Sequence, residues 1–269
     1  MTFIKDTLAY VWSGWGPAAS LLLFAALWEM GHQVYGSFIL PSPIEAGQAL
    51  LAMFEDGSGQ DAAVLTAQRA IGSFLAAGFL GSILGISAGL SRTAARAMRP
   101  VVTVLLGVPP ISWIVLALLW FGLGGASAMF TVLVTVLPIT FAGAMQGTLT
   151  IDQGLEDMAR TYRTPFWMML ADVHLPHVLS YLFPAWITAL GMAWKITVMA
   201  ELLSTDDGIG GAMALTRTNL DMAGTLGLIL LLLAMLLFVE YAVLEPVKRW
   251  MEPWRTPSKS LGGNAPKGF

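Results

Sequence analysis

Cysteine is absent from the 269 residues, and charge is scarce, with lysine, arginine, aspartate and glutamate together at 12%. The first absence excludes a disulfide framework, a thiolate nucleophile and any cysteine-ligated metal. The second excludes an ordinary soluble surface, because a globular domain carries about 25% charged residues. A net charge of −3 provides no basic footprint for nucleic acid. There is no G-x-x-x-x-G-K-[ST] phosphate loop, since none of the five lysines follows a glycine; the chain is not expected to bind or hydrolyse ATP itself, and no cofactor is expected. Only three histidines occur, and Pro176 separates His174 from His177 with no cysteine nearby, so no metal site is expected. The opening MTFIKDTLAYVWSGWGP lacks a short apolar core followed by a small-residue cleavage site, so it does not read as a removed signal peptide.

What remains is apolar: 56% of residues are hydrophobic and the mean hydropathy is +0.71. A membrane-spanning helix needs roughly 20 mainly apolar residues. Six stretches qualify, near 16–33, 67–90, 100–121, 127–149, 179–203 and 222–246. The sequence therefore predicts an all-α polytopic membrane protein of about six transmembrane helices. Small residues, as in GFLGSILGISAGL (78–90), allow helix backbones to approach closely.

Charge orients the bundle. Arg92, Arg96 and Arg99 crowd one short loop, and Lys248, Arg249 and Arg255 follow the last span, whereas Glu45, Glu55, Asp56, Asp61, Asp206, Asp207 and Asp221 occupy the opposite loops. An even number of spans and the positive-inside rule put the basic loops and both termini in the cytoplasm. Within 41–54, Ser42 is an N-cap candidate, Pro43 a first helical residue and Glu45 the partner in a capping box. Ile44, Leu50, Leu51 and Phe54 give this short external helix a partly apolar face, suited equally to the bilayer surface or a partner. The expected organisation is an N-terminal segment with the first span (1–38) and an external loop with its short helix (39–66). A core (67–250) then contains a cytoplasmic loop at 150–178, and a polar, disordered cytoplasmic tail (251–269) closes the chain.

The loop LEDMARTYRTPFWMMLADVHLPHV (155–178) is charged in an otherwise apolar chain. Leu155, Met158, Ala159, Tyr162 and Phe166 recur at three- and four-residue steps, the pattern of one helix face. Glu156, Asp157, Arg160 and Arg163 fall on the remaining surface, Glu156 and Arg160 at i, i+4 spacing. Pro165 interrupts this helix, and Thr164 can cap a second one that ends before the fifth span. By pattern alone the segment is either a surface linker or a docking element.

The loop resembles the cytoplasmic signature of ABC importer permeases, E-A-A, three residues, Gly, nine residues, I-x-L-P. Asp157, Met158 and Ala159 stand for E-A-A, Arg163 for the glycine, and Val173, Leu175 and Pro176 for I-x-L-P; Ala159, Leu175 and Pro176 match literally. ILPSPIEAGQAL, GISAGLSRTAARAMRPVVTVLLGVPPISWIVLALLWFGLG and ALGMAWKITVMAELL extend the resemblance over roughly 39–250, to the nitrate/sulfonate/taurine permeases. It implies a type I importer fold, a second permease copy as a homodimer, two cytoplasmic ATP-binding subunits, a periplasmic or lipid-anchored solute-binding protein and a bacterial inner membrane. Glu156, Asp157, Met158, Ala159, Arg160, Tyr162, Arg163, Thr164, Leu175 and Pro176 then form the coupling element that docks on an ATPase. A left-handed helix end suits glycine, and arginine there costs roughly 1–2 kcal/mol, so the first helix is expected to end differently in this chain.

Lys195 is the one cation read as lying deep in a span. Such groups face a cavity or a partner, so the open readings are contact with an anionic solute or pairing with Glu29, Glu201 or backbone carbonyls. Trp113, Trp194 and Met199 are the further pathway candidates. The solute expected is a sulfonate- or nitrate-like anion; a neutral or cationic heterocycle such as a vitamin precursor is the alternative. An ATPase-independent secondary transporter or channel is the rival class, usually marked by central intramembrane carboxylates that the sequence reading does not find.

Overall fold

The computed structural model describes residues 2–244 and 246; for residues 2–18, Gln153, Arg160, Val243 and Leu244 it describes the backbone alone. The expected tail and the basic residues Lys248, Arg249 and Arg255 lie outside the described residues. The chain runs as α1 (Thr2–Tyr35), α2 (Pro43–Glu55), α3 (Ser58–Gly89), α4 (Arg92–Gly107), α5 (Pro110–Phe121), α6 (Gly125–Leu149), α7 (Gln153–Thr161), α8 (Phe166–Met169), α9 (Leu175–Ser204), α10 (Gly208–Thr218) and α11 (Met222–Phe238). Among the described residues four helices are long and apolar enough to cross a membrane, five if a bent pair counts as one span. The first expected span lies inside α1.

That bent pair corrects the third expected span, 100–121. Pro109 and Pro110 remove two successive N–H donors, and each residue preceding a proline is pushed out of the helical region. Val108 (ψ 123°) and Pro109 (ψ 140°) are accordingly extended. α4 and α5 meet at 90°.

α3, α6 and α9 form the centre: α6 packs extensively against both of the others, which touch each other less. Ala77, Val132, Val136, Ala189, Ala193 and Ile196 fill the middle. Small residues set the separation. A Cβ on Gly85 would lie 2.8 Å from the Ala144 Cβ of α6, and one on Gly147 only 3.1 Å from Val178 Cα of α9. Without hydrophobic collapse to drive helices together in lipid, this close van der Waals contact is what holds them.

The capping box of α2 forms as its sequence predicts. Ser42 N–H donates to Glu45 Oε2 at 2.8 Å, and Glu45 N–H donates to Ser42 Oγ at 3.1 Å. The apolar side of α2 differs from expectation, however. Ala46 is buried, and Leu50 and Met53 pack with Val198, Ile209, Leu228 and Leu231 of the bundle, while Ile44 and Leu51 stay exposed. Gly227 of α11 lets the α2 backbone approach so closely that a Cβ there would sit 3.1 Å from Leu50 N. α2 is therefore part of the bundle rather than a free surface helix.

Residues 204–221, expected as an external loop, contain α10. Its start, α2 and the N-terminus of α3 gather at one end of the bundle with Asp206 and Asp207. The opposite end carries the start of α4, whose first turns hold Arg92, Arg96 and Arg99, and the 150–178 segment.

Candidate functional site: the 150–178 segment and the paired charges opposite

α7 forms because Leu155, Met158, Ala159 and Tyr162 share a face, and among the described residues little covers that face. Leu155 is 47%, Met158 58% and Tyr162 80% exposed, and Phe166 and Trp167 continue the row at 60% and 75%. Asp157, Arg163, Leu175 and Pro176 are exposed too, and Ala159 and Thr164 half-buried. The side chain of Arg160, and with it the expected pair with Glu156, lies outside the described residues. Glu156 instead meets His174, Oε1 to Nε2 at 2.9 Å, a close approach that ties α7 back to the root of α9. His177 goes elsewhere, to Thr150 Oγ1 at 3.2 Å, so the two histidines serve different contacts.

α7 ends in a left-handed residue after all. Arg163 has φ +54°, and Thr164 N–H donates back to Ala159 C=O at 2.9 Å. That six-to-one bond is the Schellman closure, which satisfies a carbonyl that the last turn leaves free. The expectation of a different helix end is thus overturned: arginine adopts the conformation a glycine would.

The second helix is also corrected. Pro165, not Thr164, occupies the cap position, and α8 starts at Phe166. Instead of ending before the fifth span, α8 widens into a π-turn over Leu170–His174 and continues into α9, with Leu175 N–H donating to Leu170 C=O. Pro176 lacks an N–H and its ring would clash with the carbonyl four residues back. The wide turn immediately before it supplies the room. Phe166–Ser204 is consequently one 39-residue helical unit, about 58 Å long at 1.5 Å per residue. The hydrocarbon core is about 30 Å thick. The unit is therefore a rod longer than that core is thick, with the exposed apolar row at its foot.

At the far end of that rod stands a charge cluster the sequence reading missed. Glu201 of α9 is fully buried. Its Oε1 accepts from Arg69 Nη1 at 3.0 Å and its Oε2 from Thr66 Oγ1 at 2.7 Å and Gly210 N–H at 3.2 Å. Arg69 Nη2 reaches Asp207 Oδ1 at 2.8 Å. Gly208 (φ +76°) is required here, since a Cβ would sit 2.6 Å from Glu201 Oε1. Arg69 and Glu201 each stand inside an apolar run, where an ionisable residue announces a partner; that was the available signal. Lys195 is therefore not the sole basic residue within the spans, and Glu201 is a buried carboxylate, lying toward the acidic end and already paired.

Lys195 itself points away from the three-helix centre and is exposed on the outer face of α9. Glu201 is committed to Arg69, and Lys195 has no hydrogen bond or ion pair among the described residues. Trp194 is buried and Trp113 half-buried, and both indole N–H groups lack an acceptor there. Met199 packs with Ile114, Ala128 and Ala200 where α5, α6 and α9 meet. The pathway candidates thus divide between the outer face of α9 and its contact with α5.

The profile of binding-protein-dependent transport system inner membrane components matches residues 77–253, from mid-α3 onward. The chain belongs to that family. It is 32% identical over 188 residues to the putative aliphatic sulfonates transport permease SsuC of Escherichia coli, covering 69% of this chain and 71% of that one. The nitrate import permease NrtB of Synechococcus elongatus is 26% identical over 217 residues, covering 77% and 75%. The taurine transport permease TauC of Escherichia coli is 24% identical over 267 residues, covering 94% and 90%. A chain from inward-facing structures of the MetNI methionine ABC transporter has the same fold, with TM-score 0.55, 17% identity, and 68% of this chain and 93% of that one covered. This family member is therefore a multi-pass inner-membrane permease subunit of an ABC importer, a transport component that works with ATP-binding subunits and a solute-binding protein.

Proposed function

We propose that the chain imports a small oxyanion of the sulfonate or nitrate kind, working as a pair of identical permease subunits above two ATPases. The observation that carries the substrate class is Lys195, a cation on the outer face of a spanning helix with no acceptor among the described residues. A desolvated ammonium is costly unless compensated, and an oxyanion offers acceptors alone. The unpartnered indole N–H groups of Trp113 and Trp194 fit the same chemistry. A second copy across the exposed face of α9 would bring two such lysines to one pathway. The names of its relatives, which include nitrate, sulfonate and taurine permeases, agree with this class.

On this reading the foot of the α9 rod docks on an ATPase through Leu155, Met158, Tyr162 and Phe166. The arginine-bearing end and both termini face the cytoplasm. Solute arrives with its binding protein at the acidic end. The test is uptake of labelled taurine, alkanesulfonate and nitrate by vesicles holding the full transporter. Lys195→Met should reduce uptake at least about tenfold, the loss of one charge-assisted contact of about 1.5–3 kcal/mol, with assembly unchanged. Lys195→Arg should keep part of the activity, since charge stays while geometry changes. Full uptake by Lys195→Met would overturn the role given to this lysine.

A further inference from the structure

Between the start of α4 and the last turn of α6 lies a cavity of about 370 Å³, bordered by Arg92, Arg96, Arg99, Gln146 and Thr150. The three arginines fall at i, i+4 and i+7, one face of α4, where like charges repel. No carboxylate among the described residues pairs with any of them. The first turn of α4 carries no acidic residue either, so the positive end of the helix adds to their field. Three guanidinium groups, a side-chain amide and a hydroxyl make a donor-rich recess. At roughly 30 Å³ per liquid water, it has room for a phosphate and its ester group. Beyond the arginines, Thr103 and Leu106 continue the same face one and two turns further along α4, both exposed. A cationic recess thus opens beside an exposed, partly apolar strip that runs toward the membrane interior.

We propose that this cavity binds a phosphate-type oxyanion, supplied by the headgroup of an anionic phospholipid whose acyl chain lies along α4. Guanidinium forks recognise phosphate oxygens bidentately, and basic recesses between spanning helices on the cytoplasmic side suit anionic headgroups. Thr150 borders the cavity and also contacts His177 at 3.2 Å. An occupied site is thereby tied to the root of α9, next to the segment proposed to dock on an ATPase. The proposed membrane orientation decides only which leaflet supplies the lipid. Binding itself can be tested without it.

The test uses the full chain in detergent micelles, titrated with dioleoylphosphatidylglycerol, dioleoylphosphatidylcholine or inorganic phosphate, with thermal unfolding and native mass spectrometry as readouts. Phosphatidylglycerol should raise the midpoint by about 5 °C, as expected for a ligand well above its dissociation constant, and remain bound in the gas phase. Phosphatidylcholine should do neither. In R92Q/R96Q/R99Q most of the shift should vanish, while R92K/R96K/R99K, which keeps the charge, should retain a phosphatidylglycerol preference and shows that loss in the first variant is not misfolding. Protection by inorganic phosphate equal to that by lipid would keep the oxyanion site and assign it to a free anion, overturning the lipid source. Equal shifts with all three ligands, or an undiminished shift in the glutamine variant, would overturn the site. Loss of ATPase association in the glutamine variant without any lipid effect would instead make the arginines a protein contact, and would equally overturn it.

Discussion

Arg69 and Lys195 are both basic residues in apolar helices, and they meet opposite circumstances. Arg69 is held between the buried Glu201 and the half-exposed Asp207, so its charge is balanced and the ends of α3, α9 and α10 are fastened together. Two desolvated charges contribute little net stability, but removing one leaves the other unpaired, which costs about 3–5 kcal/mol. Arg69→Met should therefore lower the thermal midpoint sharply, and Arg69→Met with Glu201→Gln should recover much of the loss. A single variant as stable as the parent would contradict the pairing. Lys195 has no such balance within the described chain, which is why its compensation is sought in the solute. Both residues were visible in the sequence. Only Lys195 was singled out there, because pairing Arg69 with Glu201 requires knowing that residues 132 positions apart meet across antiparallel helices.

Elements divide by how local their causes are. The cap of α2 was legible residue by residue, since Ser42, Pro43 and Glu45 act within one turn. Its seat against α11 was not, because it depends on Gly227 in a distant helix. The break between α4 and α5 was carried by Pro109 and Pro110, yet the apolar run on either side concealed it within one expected span. Pro165 does separate α7 from α8, as expected, but Pro176 misleads in the reverse sense: the π-turn absorbs it, and α8 runs on into α9. The cap also makes a pH statement. Bonds from the Ser42 backbone N–H first, and then from the Ser37 hydroxyl, hold the Glu45 carboxyl below its ordinary range. A depressed carboxylate stabilises fully above its unfolded value and loses that contribution as pH falls through its folded value. The stability difference between the parent and Glu45→Gln should be constant at neutral pH and shrink in acid below the ordinary glutamate range. A difference independent of pH would remove the charged cap from the account.

At the scale of the whole molecule, one continuous unit from Phe166 to Ser204 joins an exposed apolar foot to a buried ion pair. On the proposed reading, motion imposed at the foot by a nucleotide-driven partner would pass along this helix to the end fastened by Arg69 and Glu201. The central claim is the docking of that foot. With no cysteine in the chain, Tyr162→Cys introduces a unique thiol on the most exposed residue of the α7 row, 80% accessible. The deciding measurement is cross-linking of this thiol to single cysteines placed over the surface of the ATPase subunit, in the reconstituted importer. The account expects a cross-linked permease–ATPase product that weakens when Met158→Asp puts a charge into the contact and transport falls with it. No product at any of those positions, together with undiminished transport by Met158→Asp, would contradict it.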